Sequence, residues 1–322
     1  MKTRVLQIRA PGEQVYTAMD LPPLKPGEVL LKVRGVTTCP HWDLHMMGGE
    51  PMFPGSALKY PLVPGQPGHE AMGEIAAVAS DVTGLVPGMP VVAWRDPGNR
   101  SMGCYAQYVP IMAEDLLAID PGLKPEEIAS LELAMCVQGS FDQLIQRSGV
   151  EGKRIAISGL GPSGLIAVQL ARAHGAKSVV GFDLLPDRRR VALDLGADDV
   201  HDPGQYRWPG DRFARGSFDS ALDTTGLPDP IETLMSSTRE SVAIFGVLRS
   251  TVRFGPEQWW GGFGLLGYAT HTKEAAETSY RLIVEGKLRL KPLVTATLPL
   301  RRYAEGIEML RNRKALKVLF VP

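Results

Sequence analysis

Apolar and polar positions follow two different periods along this chain, and the change falls near residue 125. Before it, apolar residues come in short β-branched runs at 29–34, 73–78 and 90–94, and residues 105–109 alternate strictly. Alternation at a period of two predicts strands. Pro and Gly crowd the intervals, most densely from 51 to 68, so the strands are short, as in a small barrel or sandwich. After Lys124-Pro125-Glu126-Glu127 the apolar spacing lengthens to that of a helix, predicted over 128–144. Strands and helices then alternate. Strands are predicted at 154–158, 178–182, 218–223 and 241–246, with helices at 165–174 and 188–195 that stop at Gly175 and Gly196. That alternation predicts a doubly wound parallel α/β sheet. The tail is mixed: a helix at 272–285, an extended run at 292–297, a helix at 303–311 and a closing strand at 316–321. The expected organisation is a mostly β, barrel-like domain from 1–137 and 271–322, with a doubly wound α/β domain at 138–270 between them.

Composition narrows the function. Lys plus Arg equals Asp plus Glu at 35 each, so no net field would draw nucleic acid or an anionic membrane; neither is expected as a partner. The first residues lack the apolar core of a signal peptide. The longest apolar stretch, 155–171, is broken by Gly159, Gly161, Pro162 and Gly164, which argues against a membrane span. Three cysteines do not make a disulfide framework, and a cytoplasmic location is expected.

The run Gly159-Leu160-Gly161-Pro162-Ser163-Gly164 lies between a predicted strand and a predicted helix. There, glycines allow the tight turn and the close approach of backbone to a pyrophosphate, which the helix N-terminus then faces. Asp183 ends the next strand, where a carboxylate would hydrogen-bond the ribose hydroxyls. A 2′-phosphate would meet a like charge there, so NAD is expected over NADP. Arg188, first of three consecutive arginines, could fold back onto a phosphate and tempers this. Thr224, Gly246 and Val247 end the following strands and are expected to touch the cofactor.

Cys39, His69 and Cys136 could together hold one zinc, because two thiolates and an imidazole leave a fourth tetrahedral position open. His69 stands in Gly68-His69-Glu70-Ala71-Met72-Gly73, ahead of a strand and upstream of the glycine turn. That motif with that turn resembles the zinc-dependent medium-chain dehydrogenase/reductases of the alcohol dehydrogenase type. The resemblance covers essentially the whole chain and implies a GroES-like catalytic domain, a Rossmann domain and a C-terminal return. It implies hydride transfer between an alcohol or polyol, or its aldehyde or ketone, and NAD, in a homodimer or homotetramer. Matched residue by residue, Cys39, His69 and Cys136 are the zinc ligands, and Glu70 is the acid beside the metal. Asp43 is the carboxylate that orients the ligand imidazole, and His45 passes the alcohol proton towards solvent.

Two departures stand out. The segment Cys39-Pro40-His41-Trp42-Asp43 is one residue longer than the family pattern, with Trp42 where a relay hydroxyl is usual. His41 thus becomes a rival ligand, Thr37 or Thr38 a substitute hydroxyl, and Trp42 a wall of the substrate pocket or simply packing. No cysteine cluster occupies 94–103, so one catalytic zinc and no structural zinc is expected. Glu132 is an alternative to Cys136, and Cys104 reads as a small buried apolar residue. The rival functions are a zinc-free enone or quinone reductase and a non-catalytic cofactor-binding protein.

Overall fold

The computed structural model describes residues 1–96, 98 and 101–322. The chain divides into two units, Met1–Leu133 with Leu290–Pro322, and Ala134–Arg289. Part of the segment 94–103 discussed above, namely Pro97, Asn99 and Arg100, lies outside the described residues. Among the described residues no helix is long and apolar enough to cross a membrane.

The first unit is organised by the strand Glu28–Thr37, whose alternate residues Val29, Leu31 and Val33 are buried. It pairs antiparallel with Glu70–Val78, Tyr108–Met112 and Lys317–Val321, inside a seven-stranded sheet that also holds Val294–Pro299, Pro90–Ala93 and Leu116–Ala118. Thr37 pairs with both Glu70 and Leu319. The strands Val294–Pro299 and Lys317–Val321 therefore join this sheet. The N-terminal hairpin Lys2–Ala10 with Glu13–Asp20 was not predicted. The strand expected at 105–109 begins instead at Tyr108. The backbone of residues 104–106 is taken up by the 65–68 turn and by Leu6: Tyr105 N–H donates to Gly65 O, and Leu6 N–H to Tyr105 O.

The second unit is a six-stranded, wholly parallel sheet. From one edge its strands are Asp199–His201, Ser178–Phe182, Arg154–Ser158, Phe218–Asp223, Thr238–Ile244 and Gly264–Leu266. In order along the chain that is 3-2-1-4-5-6, the Rossmann order, and the direction of winding reverses between Arg154–Ser158 and Phe218–Asp223. Helices Pro162–Ala173, Pro186–Asp194 and Pro228–Ser237 each start on a proline, tolerated there because the first-turn N–H groups have no intrahelical acceptor. The helix expected at 128–144 runs over Leu131–Arg147. Helix Lys273–Val284 falls within the second unit, which runs on to Arg289 rather than stopping at 270. Paired hydrogen bonds between Gln169 and the Arg289 backbone, 2.8 and 3.2 Å, tie that end down.

Candidate metal and cofactor sites

Cys39 caps the helix Pro40–Gly48 in extended backbone, with Pro40 in the first turn. A thiolate placed there benefits from the helix N-terminus. His69 sits one residue before the strand Glu70–Val78, and its Nδ1 lies 2.8 Å from Pro67 O. A carbonyl only accepts, so Nδ1 carries a proton and Nε2 is the nitrogen that remains for a metal. One ligand atom from each of Cys39, His69 and Glu70 lies within 4.8 Å of the other two. His69 Nε2 is also 3.7 Å from Glu132 Oε2, with both side chains buried. Burial works against a charge on His69, but the Glu132 carboxylate and the bond to Cys39 outweigh it, and the imidazole is pushed well above its ordinary value. Burial pushes the Cys39 thiol up, and its bond to His69 pulls it down. A thiol, an imidazole with one nitrogen pinned, and carboxylates that favour positive charge make a donor set suited to a zinc ion.

Glu70 is held from its other side. Both carboxylate oxygens accept from Lys317 Nζ, at 2.7 and 2.6 Å, and Oε2 accepts from Thr37 Oγ1 at 3.0 Å. Both members of this ion pair are fully buried. Lys317 was missed from the sequence. Its signal was a lysine opening the otherwise apolar closing strand Lys-Val-Leu-Phe-Val, a run buried from its first residue to its fourth, where an ammonium demands a partner.

Asp43 is held by two tyrosines. Its carboxylate is completely buried and accepts from Tyr105 Oη at 2.8 and 3.0 Å and from Tyr303 Oη at 2.7 Å. His69 Nδ1 bonds the Pro67 carbonyl. Burial pushes the Asp43 carboxyl up to about 6, against the pull of the two phenols. His45 stacks on His41 with ring centroids 4.5 Å apart, and its Nδ1 is 3.5 Å from Glu50 Oε2. Trp42 is half-buried and stands edge-on to His69 at 6.1 Å and to the exposed Phe53 at 5.8 Å. It packs on the core and flanks the imidazole at once. Cys104 is buried, as expected.

Cys136 belongs to the second unit. Its sulfur lies 3.4 Å from His271 Nε2, which is 2.9 Å from Tyr268 Oη.

In the second unit the glycine turn has the geometry a dinucleotide needs. Gly159 has φ +82°, a left-handed conformation suited to glycine. A side chain on Gly164 would begin 1.8 Å from the Gly159 carbonyl oxygen. Gly161 caps the helix Pro162–Ala173, and a Cβ there would meet only Arg188 Nη1, at 3.8 Å. That open space over a helix N-terminus, with Ser163 in the first turn, fits a pyrophosphate. Thr224 Oγ1 donates to the carbonyls of Ser158 and Gly159 across the point where the sheet reverses. Asp183 accepts from the Leu160 and Leu185 N–H groups, both at 2.8 Å, and Arg188 Nη1 is 3.6 Å from its Oδ2. Gly246 packs against Gly226, with no room for a side chain, and Val247 follows it, half-buried.

Comparison with known proteins finds relatives across the chain. Residues 25–121 match the family model described as alcohol dehydrogenase GroES-like domain, and residues 162–262 the one described as zinc-binding dehydrogenase. The chain is similar to L-threonine 3-dehydrogenase of Bacillus licheniformis, 25% identical across 98% of each protein. It is also similar to acryloyl-coenzyme A reductase of Metallosphaera sedula, 26% identical across 99% of each. Among solved structures, galactitol-1-phosphate dehydrogenase from Escherichia coli superposes with a TM-score of 0.86 at 24% identity, over 99% of this chain and 100% of that one.

Proposed function

Because this chain belongs to the zinc-dependent medium-chain dehydrogenase/reductase family, we propose that it oxidises an alcohol or polyol, and reduces the matching carbonyl, with one zinc and NAD. The observation that carries this reading is the group of Cys39, His69 and Glu70 with Nδ1 of His69 pinned to Pro67. When bound, zinc supplies Lewis-acid polarisation of the alcohol oxygen, and the nicotinamide supplies the hydride acceptor. Cys39 and His69 hold the metal, and the Pro67 carbonyl keeps the imidazole in register. The third ligand is Cys136, or Glu132, whose Oε2 lies 3.7 Å from His69 Nε2. Glu70, engaged by Lys317, supports the site from behind. His45 carries the alcohol proton to solvent. The protein is expected as a homodimer or homotetramer, which sizing by light scattering would check. The test of the function is metal content by mass spectrometry alongside NAD-linked turnover of an alcohol and polyol panel. About one zinc per chain with turnover supports it; protein that neither holds nor takes up zinc would sink it.

The likeness to acryloyl-coenzyme A reductase favours a second reading, reduction of a conjugated carbonyl. Enone turnover by the metal-stripped protein would decide for it.

Two further results are expected. Asp183→Ala removes the carboxylate that a 2′-phosphate would meet. The preference for NAD over NADP, read as the ratio of kcat/KM values, should narrow about tenfold, the scale of one lost charge-assisted hydrogen bond. An unchanged ratio would transfer the choice to Arg188. Trp42→Thr removes a ring that flanks His69. If it walls the pocket, KM for apolar and aromatic alcohols rises about tenfold with kcat little changed, as when uniform binding is lost. Equal kinetics with a lower melting temperature would show packing alone.

A further inference from the structure

Asp223 closes the strand Phe218–Asp223, the first one past the point where the sheet of the second unit reverses its winding. Its side chain is completely buried, and a buried carboxylate must find donors within reach. It finds them in its own turn and on the strand beside it. Oδ2 accepts from the N–H groups of Thr225 and Gly226, at 3.1 and 2.8 Å, and Oδ1 from the Thr225 hydroxyl at 2.7 Å. The Ser158 hydroxyl bonds the same carboxylate. Burial pushes the Asp223 carboxyl up, against the pull of these donors. The main chain continues the pattern: Asp223 O accepts from the N–H groups of Phe245 and Gly246, at 2.8 and 3.1 Å.

These bonds join the ends of Arg154–Ser158, Phe218–Asp223 and Thr238–Ile244, which are neighbours in the sheet. The turns that follow them lie in contact. A Cβ on Gly159 would meet Thr224 Oγ1 at 2.6 Å, and one on Gly226, whose φ is +68°, would meet Val247 O at 2.3 Å. Thr224 N–H donates to Ser158 O at 2.8 Å. A sheet of this order takes a dinucleotide in two halves, one on each side of the reversal. Asp183 follows a strand on the side that suits the adenosine, and Thr224, Gly246 and Val247 stand on the other, which suits the nicotinamide. The Asp223 oxygens are engaged within the protein, so its part is to hold these residues in place rather than to touch the cofactor.

We propose that Asp223 is a positioning residue for the nicotinamide half of the cofactor: it fixes Thr224, Gly246 and Val247 before the cofactor arrives, and so spares binding the cost of ordering them. This rests on the dinucleotide reading of the second unit. The test is calorimetric titration of the full-length zinc-loaded protein with NADH and with ADP, which lacks the nicotinamide and its ribose. Asp223→Ala should weaken NADH about tenfold, the scale of a lost hydrogen bond to a charged group, while ADP binding holds. Asp223→Asn keeps an oxygen to accept from the two N–H groups and should recover most of the loss. Thr225→Val removes only a hydroxyl and should show the same selectivity at smaller size. A residue that merely stabilises the fold would lower the melting temperature and weaken both probes alike. That result, or NADH binding unchanged in Asp223→Ala, overturns the proposal. Should Asp223→Ala not fold, equal loss of both probes in Thr225→Val, or loss of neither, overturns it as well. Wild-type protein that binds neither probe would overturn the dinucleotide reading itself, and the proposal with it.

Discussion

His69→Ala should leave a protein that binds NADH, retains almost no zinc, and turns over at least about a thousandfold more slowly. The magnitude follows from the several kcal/mol that Lewis-acid polarisation contributes, with each 1.4 kcal/mol or so worth a factor of ten. The selectivity follows from the fold. His69 lies in the first unit, and the glycine turn, Asp183 and Thr224 all lie in the second, so cofactor binding survives loss of the metal. Cys39→Ser should act in the same direction. The informative pair is Glu132→Gln against Cys136→Ser. If Glu132 is the third ligand, zinc content falls in the first and holds in the second. The reverse would restore the thiolate that the sequence suggested. Zinc retained in His69→Ala would remove the imidazole from the site altogether. The measurements are elemental mass spectrometry, NADH fluorescence and initial rates on the same preparations.

Lys317→Met should be the most destabilising single change at the site that touches no metal donor. Its ammonium is fully buried and bonds to both oxygens of Glu70. Removing it leaves a carboxylate with only the Thr37 hydroxyl and no counter-charge. Breaking a buried pair from one side costs about 3–5 kcal/mol, whereas replacing both partners by neutral groups of similar shape is often near neutral. For a protein of this size that is a fall in melting temperature of roughly 10 °C. The double variant Glu70→Gln with Lys317→Met should recover most of it. If the double variant melts as low as the single one, the lysine contributes packing rather than charge.

Much of the second unit was legible because its signals are local. The strands Arg154–Ser158 and Ser178–Phe182 are followed at once by Gly159 and Asp183, and the turn at 159–164 sits where the parallel sheet begins its first crossover. What the sequence concealed was either short or proline-started. Helix Pro228–Ser237 opens with Pro-Asp-Pro, which reads as a loop unless first-turn proline is allowed for. In the first unit, the hairpin at 2–20 has a half-exposed second strand and so lacks the strict alternation that reveals one. At the site, the Gly-His-Glu motif located His69 and Glu70. The partners of Glu70 and Asp43, namely Lys317 and Tyr303, lie 247 and 260 positions away, and no local pattern connects residues that far apart. Glu132 illustrates the same limit: it stands in the helix Leu131–Arg147, and only the fold shows that its carboxylate lies 3.7 Å from His69 Nε2.

The antiparallel pairing of Lys317–Val321 with Glu28–Thr37 sets an order of events during translation. The first unit is interrupted by the whole of the second, so the second can fold on a ribosome while the first still lacks an edge of its sheet. Until residue 317 emerges, Glu70 has no cation and Asp43 only one of its two phenols, since Tyr303 is also late in the chain. Domains generally fold as units as they leave the ribosome. Here Glu70, which groups with Cys39 and His69, gains its counter-charge only when Lys317–Val321 joins the sheet, so the charge balance of that group is set late in synthesis.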